Sequence, residues 1–323
     1  MYHIIVNPSS RSGKGLKIWK DLESEWKGKT AYQVHVTKTA DSVTDIMRSL
    51  FEGSRDTDGN LRIVVLGGDG TLNQVVQEIP EEAFPYLRIG YIPTGSSNDF
   101  ARDLGLSKDR KALVRTILED KVVRTLDVGV LQIHARDKTA RGFETEKVHE
   151  TKRFLVSSGI GFDAAVCEAA NVSEAKKVLN RIGLGKLIYV TIAVGEILHS
   201  PQKPCRIRVD EKEWMERQSF LFAAAMNHRY EGGGFAFAPM ADATDGILDL
   251  CVAGNISKAK FLYALPKALK GTHFTVGGID HYAGHKIEIR TDIPMWVHTD
   301  GEVETSSDHV TFTCMPRCLR MTD

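Results

Sequence analysis

The sequence is short of several things, and each shortage closes off a class of function. It has no net charge, because 42 Lys and Arg residues balance 42 Asp and Glu. A balanced chain offers no overall field to a nucleic acid or to the anionic face of a membrane, so neither a nucleic-acid binder nor a polybasic membrane protein is expected. Cysteine is scarce and odd in number: Cys167, Cys205, Cys251, Cys314 and Cys318. Scattered thiols do not make a disulfide framework. The one close pair, Cys314 and Cys318, lacks the second Cys or His pair that a zinc site needs. Reduced thiols in a cytoplasmic protein are the expectation. Long apolar runs are missing too. The stretch "KLIYVTIAVGEIL" is too short to span a bilayer and carries Lys186 and Glu196, so it reads as a buried or interfacial helix. The chain enters "YHIIVNP" without a basic leader or a small-residue cleavage site, and no secretory signal is expected. Internal repeats and low-complexity linkers are absent, and the eleven histidines form no metal-ligand spacing.

What remains is ample for a folded core. The 323 residues are 42% hydrophobic and 26% charged, which excludes global disorder and makes two domains the natural reading. The first part alternates strand and helix patterns. "HIIVNP", "AYQVHVTKTA", "LRIVVL" and "LRIGYIP" read as strands. "LKIWKDLESEW" and "DSVTDIMRSLFEG" have helical spacing, the latter capped by Asp41 or Ser42, and a further helix is expected from about Thr71. Continuous apolar strands separated by helices imply a parallel sheet covered on both faces, with ligands at the carboxyl ends of its strands.

Beyond about residue 122 the rhythm changes. "ARDKTARGFETEKVHETK", within a charged insertion over residues 134–153, reads as a solvated hairpin or loop. A helical region is expected over 163–199. Short strand patterns such as "PCRIRVD", "SFLFAAAMN", "GILDLCVAG", "HKIEIRT", "MWVHTD" and "HVTFTCMP" follow, with "ISKAKFLYALPKALKG" as a helix among them. Antiparallel β structure is the expectation for this half.

The chemistry concentrates in three glycine-bearing loops. "GGDGTLNQV" places Gly67, Gly68, Asp69, Gly70 and Thr71 between a strand and a helix. Glycines let the backbone turn and approach a ligand closely, and the free N–H groups of the following helix favour an anion. Together they suit a phosphate cradle. Asp69 does not suit direct phosphate contact. It suits a Mg²⁺ ion, or water or a hydroxyl donor held beside a phosphate. Thr71 and Asn73 add polar contacts. "NPSSRSGKG" follows the first strand and supplies Lys14 or Arg11 for phosphate charge, without the spacing of a Walker A motif. "PTGSSNDFAR" follows the fourth strand and brings Gly95, Ser96, Ser97 and Asn98. Arg102 fits a phosphate contact or an ion pair equally. Three such loops after three strands of one sheet share one edge.

In this order and spacing the three loops resemble the bacterial diacylglycerol kinases and the sphingosine-kinase-like lipid kinases. "SSGIGFDAAV", "GGGFAFAPMADATDGILDL" and "TDGE" extend the resemblance over nearly the whole chain. NAD kinases and phosphofructokinases share only the Gly-Gly-Asp-Gly turn. The resemblance implies an α/β plus mainly-β fold. Its N-terminal domain would be Rossmann-like, with a parallel sheet that binds ATP, over residues 1–126, and residues 308–323 would return to it. An antiparallel β-sandwich domain over 127–307 would take the lipid, with the active site in the cleft between the two. It implies nucleotide contacts from Asn7, Pro8, Ser12, Gly13, Lys14, Thr37, Gly67, Gly68, Asp69, Gly70, Thr71, Asn73, Gly95, Ser96 and Asn98. Thr39 competes with Thr37.

An acidic turn follows at "ADATDGILDL", where Asp242, Asp245 and Asp249 by themselves could simply be solvated. The resemblance implies a structural Mg²⁺ there, held by Asp245 with Asp242 and the carbonyl of Ile247, and linked through Asp127 and water to Asp69. It further implies Glu302 as the base that accepts the acceptor hydroxyl's proton, with Asp300 orienting it or helping to bind Mg²⁺. His228 reads as a surface or packing residue. The implied activity is ATP- and Mg²⁺-dependent phosphorylation of a lipid hydroxyl, diacylglycerol to phosphatidic acid foremost. Sphingoid bases, ceramide and other lipid alcohols stay open, as does a homodimer. An NAD-kinase-like enzyme and a non-catalytic nucleotide-binding regulator are the weaker alternatives. The expected setting is cytoplasmic, with transient peripheral contact with a membrane and no nucleic-acid partner.

Overall fold

A computed structural model describes residues 1–39, 41–53, 61–120, 123–138, 144–172 and 194–322. The chain forms two compact units. The first comprises Met1–Val128 with Pro316–Asp323, and the second comprises Gly129–Met315.

In the first unit, β1 (Tyr2–Val6) is followed by the helical turn α1 (Ser10–Gly13) and by α2 (Gly15–Leu22). Then come β2 (Tyr32–Val36), α3 (Asp41–Gly53), β3 (Leu61–Gly67), α4 (Asp69–Gln77) and β4 (Leu87–Pro93). Two further helices, α5 (Asp99–Asp103) and α6 (Arg110–Glu119), complete it. The strands pair in the order β2-β1-β3-β4, every pair parallel. After His3 and Arg62, β1 and β3 run apolar through Val6 and Leu66, because both of their faces are covered there. Tyr2, Ile4, Val6, Val64 and Leu66 enter one core with Trp19, Leu22, Trp26, Val114 and Ile117. The intervening Ile5, Ile63 and Val65 are buried as well. The chain winds outward from β1 to β2 and then returns to the other side of β1 for β3. The carboxyl ends of β1 and β3 therefore flank the point where the winding reverses, which is where open α/β sheets leave a crevice. The sequence pattern sets the start of α4 near Thr71. It starts at Asp69, which places that carboxylate in the helix's first turn.

The second unit is sheet-rich and antiparallel. β5 (Val123–Lys138) leads into it and pairs with β6 (Glu144–Phe154), so the charged insertion is largely a hairpin. β7 (Ser157–Gly161) and α7 (Phe162–Val172) follow. The helical region expected over 163–199 begins with α7, and its residues 173–193 lie outside the described residues. Next come β8 (Lys203–Val209), β9 (Met215–Met226), β10 (Leu248–Gly254), α8 (Lys258–Ala268) and β11 (Ile279–Gly284). β12 (Lys286–Thr299) and β13 (Glu302–Thr322) end the chain, and the last residues of β13 pair in parallel with β4. Alternate residues of β9 serve two cores. Phe220, Ala223 and Ala225 face one; Leu221, Phe222, Ala224 and Met226 face the other. The side-chain period of two explains the pattern, and the bulge where Gly254 meets Phe220 accounts for the shift in it. Asp249, expected in the acidic turn, instead lies buried inside β10, 2.5 Å from His281 Nε2. None of the five cysteines is disulfide-bonded. Among the described residues no helix is long and apolar enough to cross a membrane.

Trp26 anchors the first core. It is fully buried, and its ring lies edge-on to Tyr2 and tilted against Trp19 and Tyr32. Its indole N–H finds no acceptor among the described residues, so the ring contributes by packing alone. Trp26→Ala is expected to cost about 3–5 kcal/mol, the usual penalty for emptying a large aromatic site. Trp26→Phe, which keeps an aromatic ring and loses no hydrogen bond, should cost clearly less. Chemical denaturation followed by far-ultraviolet circular dichroism tests both, and equal losses would refute the packing account.

Candidate active site

The three glycine-bearing loops meet within the first unit, at the carboxyl ends of β1, β3 and β4. Asn7, the residue after β1, donates from Nδ2 to Thr71 Oγ1 at 2.9 Å, and its backbone N–H donates to Leu66 O. Thr94, the residue after β4, donates from Oγ1 to Ser10 Oγ at 2.8 Å and from its backbone to Gly67 O at 2.7 Å. Each loop thus holds a neighbouring one.

Glycine is required at the contact. A Cβ on Gly95 would sit 2.7 Å from the Cα of Gly68, and a Cβ on Gly68 would sit 3.1 Å from the Cα of Gly95. Gly15 is equally constrained, since a Cβ there would lie 2.0 Å from Asn7 O. Asn98 closes the 95–98 turn reciprocally: its Oδ1 accepts from Gly95 N–H and its Nδ2 donates to Gly95 O, both at 2.9 Å. It adopts a left-handed conformation at φ 50°, one that Asn tolerates better than most residues. The first loop bends through Arg11, Ser12 and Gly13, at φ 51°, 56° and 83°. That conformation leaves Arg11, Ser12, Gly13 and Lys14 exposed. Ser96 and Ser97 are exposed as well.

Asp69 is held from two directions. The Tyr91 hydroxyl donates to Oδ1 at 3.1 Å, and the Asp99 backbone N–H donates to Oδ2 at 2.8 Å. Burial, the charge of Asp69 and this hydrogen bond together push the Tyr91 hydroxyl well above its ordinary pKa, so it remains a donor. Tyr91 and Asp99 were not legible as site residues. Tyr91 sits within an apolar strand, and Asp99 acts through its backbone. Arg110, at the start of α6, is a second unforeseen neighbour. Burial and then the charge of Arg11 draw its pKa below the ordinary arginine value, so two cations repel each other beside the first loop. Arg102 pairs with Asp99 and also donates to Ser97 O at 3.5 Å.

Among the remaining first-unit candidates, Thr71 and Asn73 are buried in α4, and Asn73 Oδ1 accepts from Gln77 Nε2 at 3.0 Å. Thr37 is buried, and its N–H donates to Val6 O at 3.0 Å, beside Asn7. Thr39 is exposed, and its N–H donates to Ser42 Oγ. Asp127 is fully buried and accepts from Arg317 N–H at 2.6 Å.

The second unit carries the other candidates. Asp300 has an unusual left-handed φ of 48° and is a backbone clamp. Its Oδ2 accepts from Leu155 N–H at 2.8 Å, and its Oδ1 accepts from Val156 and Ser157 N–H at 2.8 and 3.0 Å. Its own N–H donates to Ser157 O. Glu302, two residues on, is exposed, and no hydrogen bond from the described residues engages its carboxylate. Asp242 and Asp245 are exposed and close two consecutive polar turns. Asp242 Oδ1 accepts from Thr244 N–H, and Asp245 Oδ1 accepts from Ile247 N–H, both at 3.0 Å. His228 is fully buried rather than at the surface.

A cluster that the sequence did not suggest lies directly behind the Asp300 turn. Asp163, Glu231 and His298 bring their ligand atoms within 4.8 Å of one another. His298 Nε2 lies 3.1 Å from Asp163 Oδ2 and 3.4 Å from Glu231 Oε1. Asp163 lies in "SSGIGFDAAV" and His298 in the strand pattern "MWVHTD", but nothing local in the sequence relates the two.

Comparison with known proteins places these features in a family. Residues 1–131 match the diacylglycerol kinase catalytic domain, and residues 155–323 match the YegS C-terminal NAD kinase beta sandwich-like domain. The Bacillus subtilis (strain 168) protein named "Putative lipid kinase YtlR" is 26% identical over 309 residues, covering 94% of this chain and 93% of that protein. A Mycobacterium tuberculosis (strain CDC 1551 / Oshkosh) protein named diacylglycerol kinase is 30% identical over 215 residues, covering 67% of this chain and 62% of its own length. A crystal structure of a diacylglycerol kinase from Bacillus anthracis str. Sterne superposes with a TM-score of 0.71 at 22% identity, covering 99% of this chain and 96% of that one, and it attests the fold. With both of its parts matched, the chain belongs to the diacylglycerol kinase and related lipid kinase family, and it is a kinase.

Proposed function

We propose that this kinase transfers the γ-phosphoryl group of ATP to the hydroxyl of diacylglycerol, giving phosphatidic acid and ADP. The observation that carries the proposal is the convergence of the three loops around the Gly68–Gly95 contact, with Asp69 fixed beside it by Tyr91 and Asp99. The choice of acceptor draws on the relatives named diacylglycerol kinase.

Residues 1–126 with 308–323 form the nucleotide-binding domain in this reading, a Rossmann-like fold of the NAD kinase and phosphofructokinase kind. Residues 127–307 form a sandwich-like domain for the lipid. The N-terminus of α4 offers backbone N–H groups and a favourable dipole to a phosphate. Arg11, Lys14 and Arg110 offer charge, and a bound anion relieves the repulsion between the two arginines. Asn7, Pro8, Ser12, Gly13, Thr37, Gly67, Gly70, Thr71, Asn73, Ser96 and Asn98 shape and line the cradle. Asp69 cannot usefully meet a phosphate directly. Its hydrogen bonds aim it to hold water, or a Mg²⁺ that travels with ATP, beside one.

Asp242, Asp245 and the Ile247 carbonyl form an all-oxygen donor set on an exposed turn, which fits a hard divalent cation. They would hold Mg²⁺, with Asp127 in the linked network. When bound, the ion would supply positive charge and order to the turn. In the transfer itself, the acceptor oxygen forms a bond to the γ-phosphorus while the bond from phosphorus to the β,γ-bridging oxygen breaks. Glu302 receives the hydroxyl proton, and ADP departs with the bridging oxygen. Asp300 keeps the turn that presents Glu302 in place. Positioning and charge supply most of the acceleration, and the base supplies about 10²–10⁴-fold. The enzyme works in the cytoplasm and touches the membrane peripherally to reach its lipid.

Three measurements test the proposal in mixed micelles of detergent and diacylglycerol with labelled ATP. Asp69→Ala should abolish transfer while the melting temperature holds; near-wild-type activity would remove Asp69 from the mechanism. Glu302→Gln should lower kcat by about 10²–10⁴-fold and leave KM for ATP nearly unchanged. Gly95→Ala, which forces the loops apart, should reduce kcat/KM for ATP by about 10²-fold, the loss that a displacement on the order of 1 Å brings. Sphingosine, ceramide and NAD run alongside as acceptors, and faster labelling of any of them would displace diacylglycerol.

A further inference from the structure

The Asp163–Glu231–His298 cluster has no place in the chemistry above, yet its construction is specific. His298 is fully buried, and the side chains of Asp163 and Glu231 are only 8% and 13% exposed. The three residues come from the first turn of α7, the loop after β9 and the end of β12, so each ties down a different element. A Cβ on Gly159 would lie 1.9 Å from Asp163 Oδ2 and 2.7 Å from His298 Nε2, so any side chain there would displace members of the cluster. Glu231 also anchors the loop of three glycines. Its N–H donates to Phe235 O and its carbonyl accepts from Phe235 N–H, both at 2.9 Å, while Gly232, Gly233 and Gly234 all have positive φ between them.

Two carboxylates and an imidazole at this spacing suit a divalent cation, but the second ring nitrogen decides otherwise. The Gly301 N–H donates to His298 Nδ1 at 3.2 Å. A histidine that binds metal through Nε2 carries its proton on Nδ1 and donates it outward. Here Nδ1 faces a donor, so it must present a lone pair, and the proton resides on Nε2 between Asp163 and Glu231. Burial works against a charged ring. The hydrogen bond to Asp163, with the charges of Asp163, Glu231 and Asp300, outweighs it and pushes the pKa up to about 9. The Gly301 N–H opposes that shift, because an imidazolium would carry a proton on Nδ1 facing this donor; the contact requires the neutral ring with its proton on Nε2.

Gly301 is the residue between Asp300 and Glu302. The turn is therefore gripped twice. The Asp300 carboxylate takes the N–H groups of Leu155, Val156 and Ser157, and the Gly301 N–H is taken by His298. We propose that His298 is a positioning residue for Glu302: Asp163 and Glu231 orient its ring through Nε2–H so that Nδ1 holds the Gly301 N–H and fixes the turn that presents the base. The inference rests on Glu302 acting as the base.

The test compares kcat and KM for His298→Ala, His298→Asn, His298→Gln, Glu302→Gln and the double variant His298→Ala with Glu302→Gln, each with its melting temperature, in the diacylglycerol assay. Asn places an acceptor where Nδ1 stood and abandons the carboxylates. Gln reaches the carboxylates and abandons Gly301. His298→Ala and His298→Gln should lower kcat by about 10- to 100-fold with KM for ATP unchanged. His298→Asn should stay close to the wild-type rate, and the double variant should be no slower than Glu302→Gln. Multiplying effects in the double variant, or equal impairment of Asn and Gln, would overturn the inference while leaving Glu302 as the base. A near-wild-type rate for Glu302→Gln would overturn the base assignment and the inference with it. If His298→Ala does not fold, the Asn and Gln comparison decides alone.

Discussion

The first unit turns on a contact with no side chains in it. Gly68 and Gly95 approach so closely that either would clash with a Cβ on the other. That contact draws the loop after β3 against the loop after β4. The Asn7–Thr71 and Thr94–Ser10 hydrogen bonds draw in the loop after β1. The energetics are those of exclusion. Nothing is gained at the glycines themselves, yet no other residue lets the backbones lie close enough for the surrounding hydrogen bonds to form. The charge of Asp69 is then tolerated because two donors aim it, and one of those donors, Tyr91, is kept protonated by its burial and by the carboxylate it serves.

The second unit solves a related problem differently. The base proposed for phosphoryl transfer has to be open to its substrate yet fixed in direction. Glu302 is exposed, and the rigidity is moved one and two residues upstream. Asp300 gives its carboxylate to three consecutive backbone N–H groups, interactions of the charge-assisted kind that are roughly twice as strong as neutral ones. Such an arrangement spends an acidic residue on architecture. Its left-handed backbone at φ 48° is a further strain that the clamp must offset.

How much of this the sequence carried depends on the range of the interaction. The apolar runs of β1, β3 and β4 and the glycine-bearing loops after them are local patterns, and parallel winding at a shared edge follows from them. Boundaries were less legible. α4 begins at Asp69, before the residues of better helix propensity, because Gly68 serves as its cap and tertiary contacts fix the first turn. Around Pro294 the sequence suggested two separate strands. β12 runs through them, with a register shift between Arg290 and Met295 that accommodates the proline. Spacing alone groups Asp249 with the acidic turn, but its position in β10 and its partner, His281, make it a buried pair. The Asp163–Glu231–His298 cluster was out of reach, since the histidine lies 135 residues from Asp163 and no periodicity relates them.

Asp69 and Asp300 show why a motif alone does not give a role. Both are aspartates beside a glycine in a turn, and the resemblance set both in the chemistry. Their environments separate them. The Asp69 oxygens accept a hydroxyl and an N–H from two different elements, Tyr91 in β4 and Asp99 in α5, which directs the carboxylate. The Asp300 oxygens accept from three N–H groups of a single strand entry, so this carboxylate is committed to the backbone it organises. An ionised group that orders its own surroundings is a poor proton acceptor, because taking a proton would cost it those bonds. The exposed Glu302 has no such bonds to lose. That asymmetry, rather than the order of residues in Thr-Asp-Gly-Glu, is the reason the glutamate is the base we propose.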